Sequence, residues 1–123
     1  MSASDELSDF IRSHFRSVWS LEILLHLKRG AARGWSEGEL LDALRASHSV
    51  VAAGLESLLA GGLILLEDDR RARYGPAGAD LARLVDETER LYAMKPDAVR
   101  RLIVLSQGSA VSAFADAFRL RRD

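Results

Sequence analysis

The stretch WSEGELLDALRASHSVVAAGLESLLAGGLILLEDDRRARYGP, residues 35–76, decides the fold of this chain. Ser36-Glu37-Gly38-Glu39 has the form of a capping box, in which a serine hydroxyl accepts from the third amide of a helix and a glutamate reaches back. Trp35 and Leu40 stand at the two positions of a hydrophobic staple. Leu40, Leu41 and Leu44 give this helix a buried face, and it ends near Arg45. Only Ala46 separates that end from Ser47, a second capping residue, so the two helices must change direction sharply. The second helix buries Val51, Leu55 and Leu58 and stops at Gly61-Gly62, which are free to take positive φ. Residues 63–66 and 71–74 then read as the strands of a hairpin with 67–70 as its polar tip, closed by Pro76.

Helical periodicity extends outward on both sides. Leu7, Phe10, Ile11, His14 and Phe15 share one face of a first helix. Ser17 caps a second, which buries Val18, Leu21, Leu24, Leu25 and Leu27. Lys28 and Arg29 complement the dipole of that helix, Gly30 ends it, and 31–34 is a loop. After the hairpin, residues 79–92 are amphipathic through Leu81, Leu84, Val85, Thr88, Leu91 and Tyr92. Lys95-Pro96 breaks the pattern, and Pro96 suits the first turn of a helix over 97–105. Gln107-Gly108 is another break, after which Ser109 can cap a last helix with Val111, Phe114, Ala115 and Phe118 on one side. The expected organisation is a single domain, 1–123, with a core at 17–76 and a C-terminal helical extension at 77–123.

The run Ser47-His48-Ser49-Val50-Val51-Ala52-Ala53-Gly54-Leu55-Glu56-Ser57-Leu58, followed by Gly62-Leu63-Ile64, resembles the recognition helix and first wing strand of winged helix-turn-helix transcriptional regulators, a broad group that includes MarR-like and ArsR-like repressors. The resemblance implies a mainly α fold with a small β-hairpin, a winged helix-turn-helix with extra N- and C-terminal helices. It implies a bacterial, cytoplasmic regulator that binds double-stranded DNA as a homodimer and needs no cofactor. By position, Ser47, His48, Ser49, Val50, Ala53 and Ser57 are the groove-facing candidates, and Arg70, Arg71 and Arg73 are the wing candidates. The chain departs from the family on this outward face. Ala52-Ala53 stands where a Ser-Arg pair is common, and Glu56 adds negative charge. Each bidentate base contact is worth about 1–3 kcal/mol of discrimination, and no side chain here is built to make one.

Positive charge is available at the wing, at Arg45, and at Lys28, Arg29 and Arg33 after the second helix. The net charge of −1 is spread evenly, which counts against a general nucleic-acid coat protein and leaves room for a local patch. The wing arginines can equally pair with Asp68 and Asp69. Val50, Ala53 and Gly54 form a small-residue face that either packs on a helix of the same chain or receives a protein partner. Gly54 costs its helix roughly 1 kcal/mol relative to alanine. The second functional reading is therefore a winged-helix protein-interaction module, an adaptor or antagonist that no longer reads bases. Residues 102–105 and the Val111/Phe114/Phe118 stripe are either a second layer on the domain or a dimer surface. Arg119-Leu120-Arg121-Arg122 is a solvated tail or a further phosphate contact.

The chemistry of an enzyme is not indicated. The chain has no cysteine, and His14, His26 and His48 lack a second ligand at helical spacing, so no metal site is expected. No nucleophile motif or phosphate loop occurs, and Trp19 and Trp35 read as core and staple. No leader is visible at the start of the chain, and no apolar run is long enough to span a membrane.

Overall fold

Serine caps open three of the helices in the computed structural model, which describes residues 3–105, with side chains from Asp5 onward. Helix α1 (Ala3–His14) carries Asp5 and Glu6 in its first turn and Arg12 and His14 in its last, matching the helix dipole. Ser17 caps α2 (Val18–Arg29), where Ser20 completes the box: the Ser20 amide donates to Ser17 Oγ at 3.2 Å, and the Ser17 amide donates to Ser20 Oγ at 3.4 Å. Ser36 and Glu39 form the box of α3 (Glu37–Leu44) as the spacing predicts. Arg45 ends that helix at φ 53°, ψ 40°, a left-handed turn that redirects the chain into Ser47, the cap of α4 (His48–Ala60). Gly61 closes α4, and Gly62, at φ 76°, takes the conformation that a side chain resists.

Strands β1 (Ile64–Leu66) and β2 (Ala72–Tyr74) pair antiparallel, with Ile64 opposite Tyr74 and Leu66 opposite Ala72. Each is shorter than the sequence pattern predicts, because Leu63 and Arg71 fall outside the ladder. Trp35 adds a bridge that the sequence does not announce. Its backbone exchanges two 2.8 Å hydrogen bonds with Ala72, so the segment between α2 and α3 runs beside β2. Trp35 does more than a staple: its indole Nε1 donates to the Gly30 carbonyl at 2.9 Å, and its ring meets His26 edge-on at 4.7 Å. Helix α5 (Ala79–Met94) runs two residues past the expected end, and a helix over 96–105, α6, follows with Pro96 in its first turn.

The chain is thus mainly helical with a small two-stranded antiparallel hairpin. Its core centres on α2, which packs against α4, β2 and α3, while α1 packs on α5. Leu21, Ile23, Leu24, Leu25 and Leu27 are buried together with Ile11, Phe15, Leu40, Val51, Leu58, Leu63 and Val85. Val18 and Leu55 are only half-buried against it, and Trp19, expected in the core, is 41% exposed. Lys28 fastens α2 to α5, lying 2.6 Å from Glu89 and 3.2 Å from Asp86, and the Tyr92 hydroxyl donates to Glu22 at 2.5 Å. The expected break at Gln107-Gly108, the Ser109 cap, the Val111/Phe114/Ala115/Phe118 stripe and the basic end Arg119–Arg122 lie outside the described residues. Among the described residues, no helix is long and apolar enough to cross a membrane.

Candidate nucleic-acid interface

At 100° per residue, Ser49, Ala53, Glu56 and Ala60 share one face of α4. All four are exposed and form a ridge of small side chains with one carboxylate. On one flank, Val50 and Ser57 face the start of α2 across a groove of about 320 Å³, lined also by Arg16, Ser17, Trp19, Ala53 and Gly54. On the other flank, Ala52, Leu55 and Leu59 face the hairpin across a narrower groove edged by Glu37, Leu66 and Arg70.

The first of these flanks settles how the small residues divide. Gly54 is buried, and a Cβ built on it would lie 2.5 Å from Ile23 Cδ1 and 3.7 Å from Ser20 Cα. Gly54 is there so that α4 can lie close on α2, and is not part of a free surface. Ala53, its neighbour, points out. Ser47 spends its hydroxyl on the Val50 amide at 3.3 Å and sits 3.3 Å from the Ser49 hydroxyl. His48 is exposed, with Nδ1 2.9 Å from Glu37 Oε1 across the turn between α3 and α4.

The hairpin arginines separate into two kinds. Arg71 donates to Glu39 Oε1 at 3.3 Å and lies 3.2 Å from Asp69. Arg73 donates to the Ala31 and Ala32 carbonyls at 3.3 and 3.2 Å, and lies 3.6 Å from Glu67. Both hold the hairpin to the rest of the fold. Arg70, in the left-handed turn at φ 68°, has no side-chain partner among the described residues. The cations at the end of α2 and just after it are similarly engaged, Lys28 and Arg29 with Glu89, and Arg33 with Glu39 while it lies over the Trp35 ring.

Glu39 is the centre of this small network. It accepts from Arg33 Nη1 at 3.1 Å, from the Ser36 amide at 2.9 Å and from Arg71. The Arg33 hydrogen bond, then that of the Ser36 amide, lowers its pKa from 4.5 to about 2. Capping box, loop and hairpin therefore meet on one carboxylate.

Arg16 was not legible as an interface residue. It precedes the Ser17 cap by one position, and only the packing of α2 on α4 brings it beside Ala53 and Ser57. Arg16, Arg45 and Arg70 are exposed and have no carboxylate partner among the described residues. They stand respectively at the α2 flank of the ridge, before its N-terminus, and at its hairpin flank. Glu56 lies between them, also without a described cation partner. Among the described residues no group of three or more His, Asp or Glu is placed to hold a metal ion. No protein-family model, curated protein or solved structure matches this chain.

Proposed function

We propose that this chain is a cytoplasmic DNA-binding transcriptional regulator of the winged helix-turn-helix type, with α4 entering the major groove and the β1–β2 hairpin acting as the wing. The observation that carries the reading is the placement of Arg16, Arg45 and Arg70 around an exposed, serine-capped α4. Three guanidinium groups without a carboxylate partner among the described residues, flanking a protruding helix, suit phosphates on either side of a groove. The Trp35–Ala72 bridge supports it further, since it ties the hairpin to the segment that leads into α3. Affinity then comes from the backbone of the duplex, and the ridge of Ser49, Ala53, Glu56 and Ala60 contributes shape and little base discrimination. Exposed Val104 and Leu105, on the helix whose Val99 and Ile103 are buried, suit a homodimer that spans two half-sites.

Titration of random duplex DNA with salt tests this reading. The log of affinity should fall against log salt with a slope of about −3 per protomer, and each of Arg16→Ala, Arg45→Ala and Arg70→Ala should reduce the slope by about 1. Arg73→Ala should leave the slope unchanged. Absence of binding at low salt sinks the proposal.

A second reading, a protein-interaction module, has its own observation. Trp19 and Leu66, at 41 and 50% exposure, flank α4 on either side, and Leu59 on the helix itself is 43% exposed. Apolar side chains in that position suit a protein partner better than phosphate.

A further inference from the structure

Helices α2, α3, α5 and α6 leave a cleft of about 390 Å³ between them, a size at the small end of the range for small-molecule sites. Its lining falls into two chemistries. Val18 and Trp19 of α2 and Leu44 of α3 are apolar, and the Trp19 indole is 41% exposed. Glu22 of α2, Tyr92 of α5 and Arg100 of α6 are polar and connected. The Tyr92 hydroxyl donates to Glu22 Oε1 at 2.5 Å and accepts from Arg100 Nη2 at 3.4 Å. Burial, and then the Glu22 hydrogen bond, push the Tyr92 phenol above its ordinary 10, so it remains a donor to Glu22 at neutral pH.

The two charges beside that hydroxyl are poorly engaged. Glu22 has no ion-pair partner among the described residues, and Arg100 has only Asp97, whose side chain is 87% exposed. An ion pair that open to water contributes little, so the guanidinium is available to a better acceptor. A carboxylate and a guanidinium separated by one neutral hydroxyl offer opposite poles within the span of one small molecule. An anionic ligand would be repelled by Glu22 and a cationic one by Arg100, whereas a zwitterion satisfies both.

We propose that this cleft binds a free α-amino acid with an apolar side chain. Its ammonium donates to Glu22, its carboxylate accepts from Arg100, and its side chain packs on Trp19, Val18 and Leu44. The charge-assisted bonds orient the ligand, and the indole supplies apolar contact area. The site is independent of what α4 binds.

Titration of the full-length protein with L-phenylalanine, followed by nuclear magnetic resonance, tests the proposal. The chain has two tryptophans, and Trp35, whose indole N–H is held by the Gly30 carbonyl, is the internal reference. The Trp19 indole signal, assigned by its loss in Trp19→Phe, should move saturably with a Kd of about 1 mM or tighter, while that of Trp35 stays in place. Phenylpropionate, which lacks the ammonium, and phenethylamine, which lacks the carboxylate, should each bind at least about tenfold more weakly. Glu22→Gln keeps an acceptor for Tyr92 but removes the charge. It should weaken phenylalanine at least about tenfold and leave phenylpropionate bound no more weakly than before. Arg100→Met should weaken phenylalanine similarly and spare phenethylamine, with an unmoved Trp35 signal showing that both variants are folded. Absence of a saturable Trp19 shift overturns the proposal. Equal binding of phenylalanine and its two analogues also overturns it, because an aromatic ring is then merely resting on an exposed indole.

Discussion

Gly54 shows how much one missing methyl group decides. Its Cα lies so close to α2 that the Cβ of any other residue meets Ile23 Cδ1 at 2.5 Å, and Ile23 is itself fully buried. Alanine brings two opposed effects here. Helix propensity favours it by about 1 kcal/mol, while overpacking costs about 1–3 kcal/mol. Gly54→Ala is therefore expected to destabilise the protein in urea titrations. Ile23→Val removes the atom in the way, so in that background the same substitution should become neutral or stabilising by up to about 1 kcal/mol. A penalty for Gly54→Ala that is equal in both backgrounds would show that Ile23 is not the obstacle. The sequence pattern allowed this role for Gly54 but could not choose it. A glycine on a helix face looks the same whether it meets another helix or a partner, and only the arrival of Ile23 distinguishes them.

Between elements, the important joints are those in which local capping chemistry is extended by a distant residue. Ser36 and Glu39 are legible as a cap from four consecutive residues, and Ser17 and Ser47 from the helical spacing of the apolar residues after them. The same Glu39 also holds Arg71 of the hairpin, which no local pattern reveals. Trp35 behaves alike: its position before the cap is evident, but its pairing with Ala72 depends on the hairpin folding back. Glu39 gives this joint a pH signature. Its folded-state pKa is near 2 and its ordinary value 4.5, so its stabilisation is complete above that ordinary value and is lost as pH falls through it toward 2. The native protein should lose thermal stability between about pH 5 and 2, and Glu39→Gln should flatten that loss while lowering stability at neutral pH. An acid limb unchanged by Glu39→Gln in circular dichroism melts would assign the loss to other carboxylates.

For the whole molecule, the arrangement of charge matters more than its amount. A net charge of −1 hides the gathering around one helix of Arg16, Arg45 and Arg70, which have no carboxylate partner among the described residues, whereas Lys28, Arg33, Arg71 and Arg83 are held by carboxylates. Composition cannot show such sorting, since it arises from packing: α2 brings Arg16 forward, and the hairpin draws Arg73 back onto the loop after α2. Exposed apolar residues are sorted too, with Val104 and Leu105 opposite the buried side of α6. If they join two copies, Val104→Asp combined with Leu105→Asp should sediment as a monomer at concentrations where the native chain is a dimer. Identical sedimentation of the two proteins would place the contact elsewhere.

The pairing of Trp35 with Ala72 has one more consequence, for how the molecule avoids sticking to itself. A two-stranded hairpin ordinarily offers two open rims of backbone donors and acceptors to any extended chain nearby. Here Trp35 occupies the rim of β2 at Ala72, leaving β1, three residues long, as the open one among the described residues. That rim is bordered by Leu65 and Leu66, which are 57 and 50% exposed. If this protein forms fibrillar aggregates, or captures a peptide by strand addition, β1 is where the first foreign strand would lie.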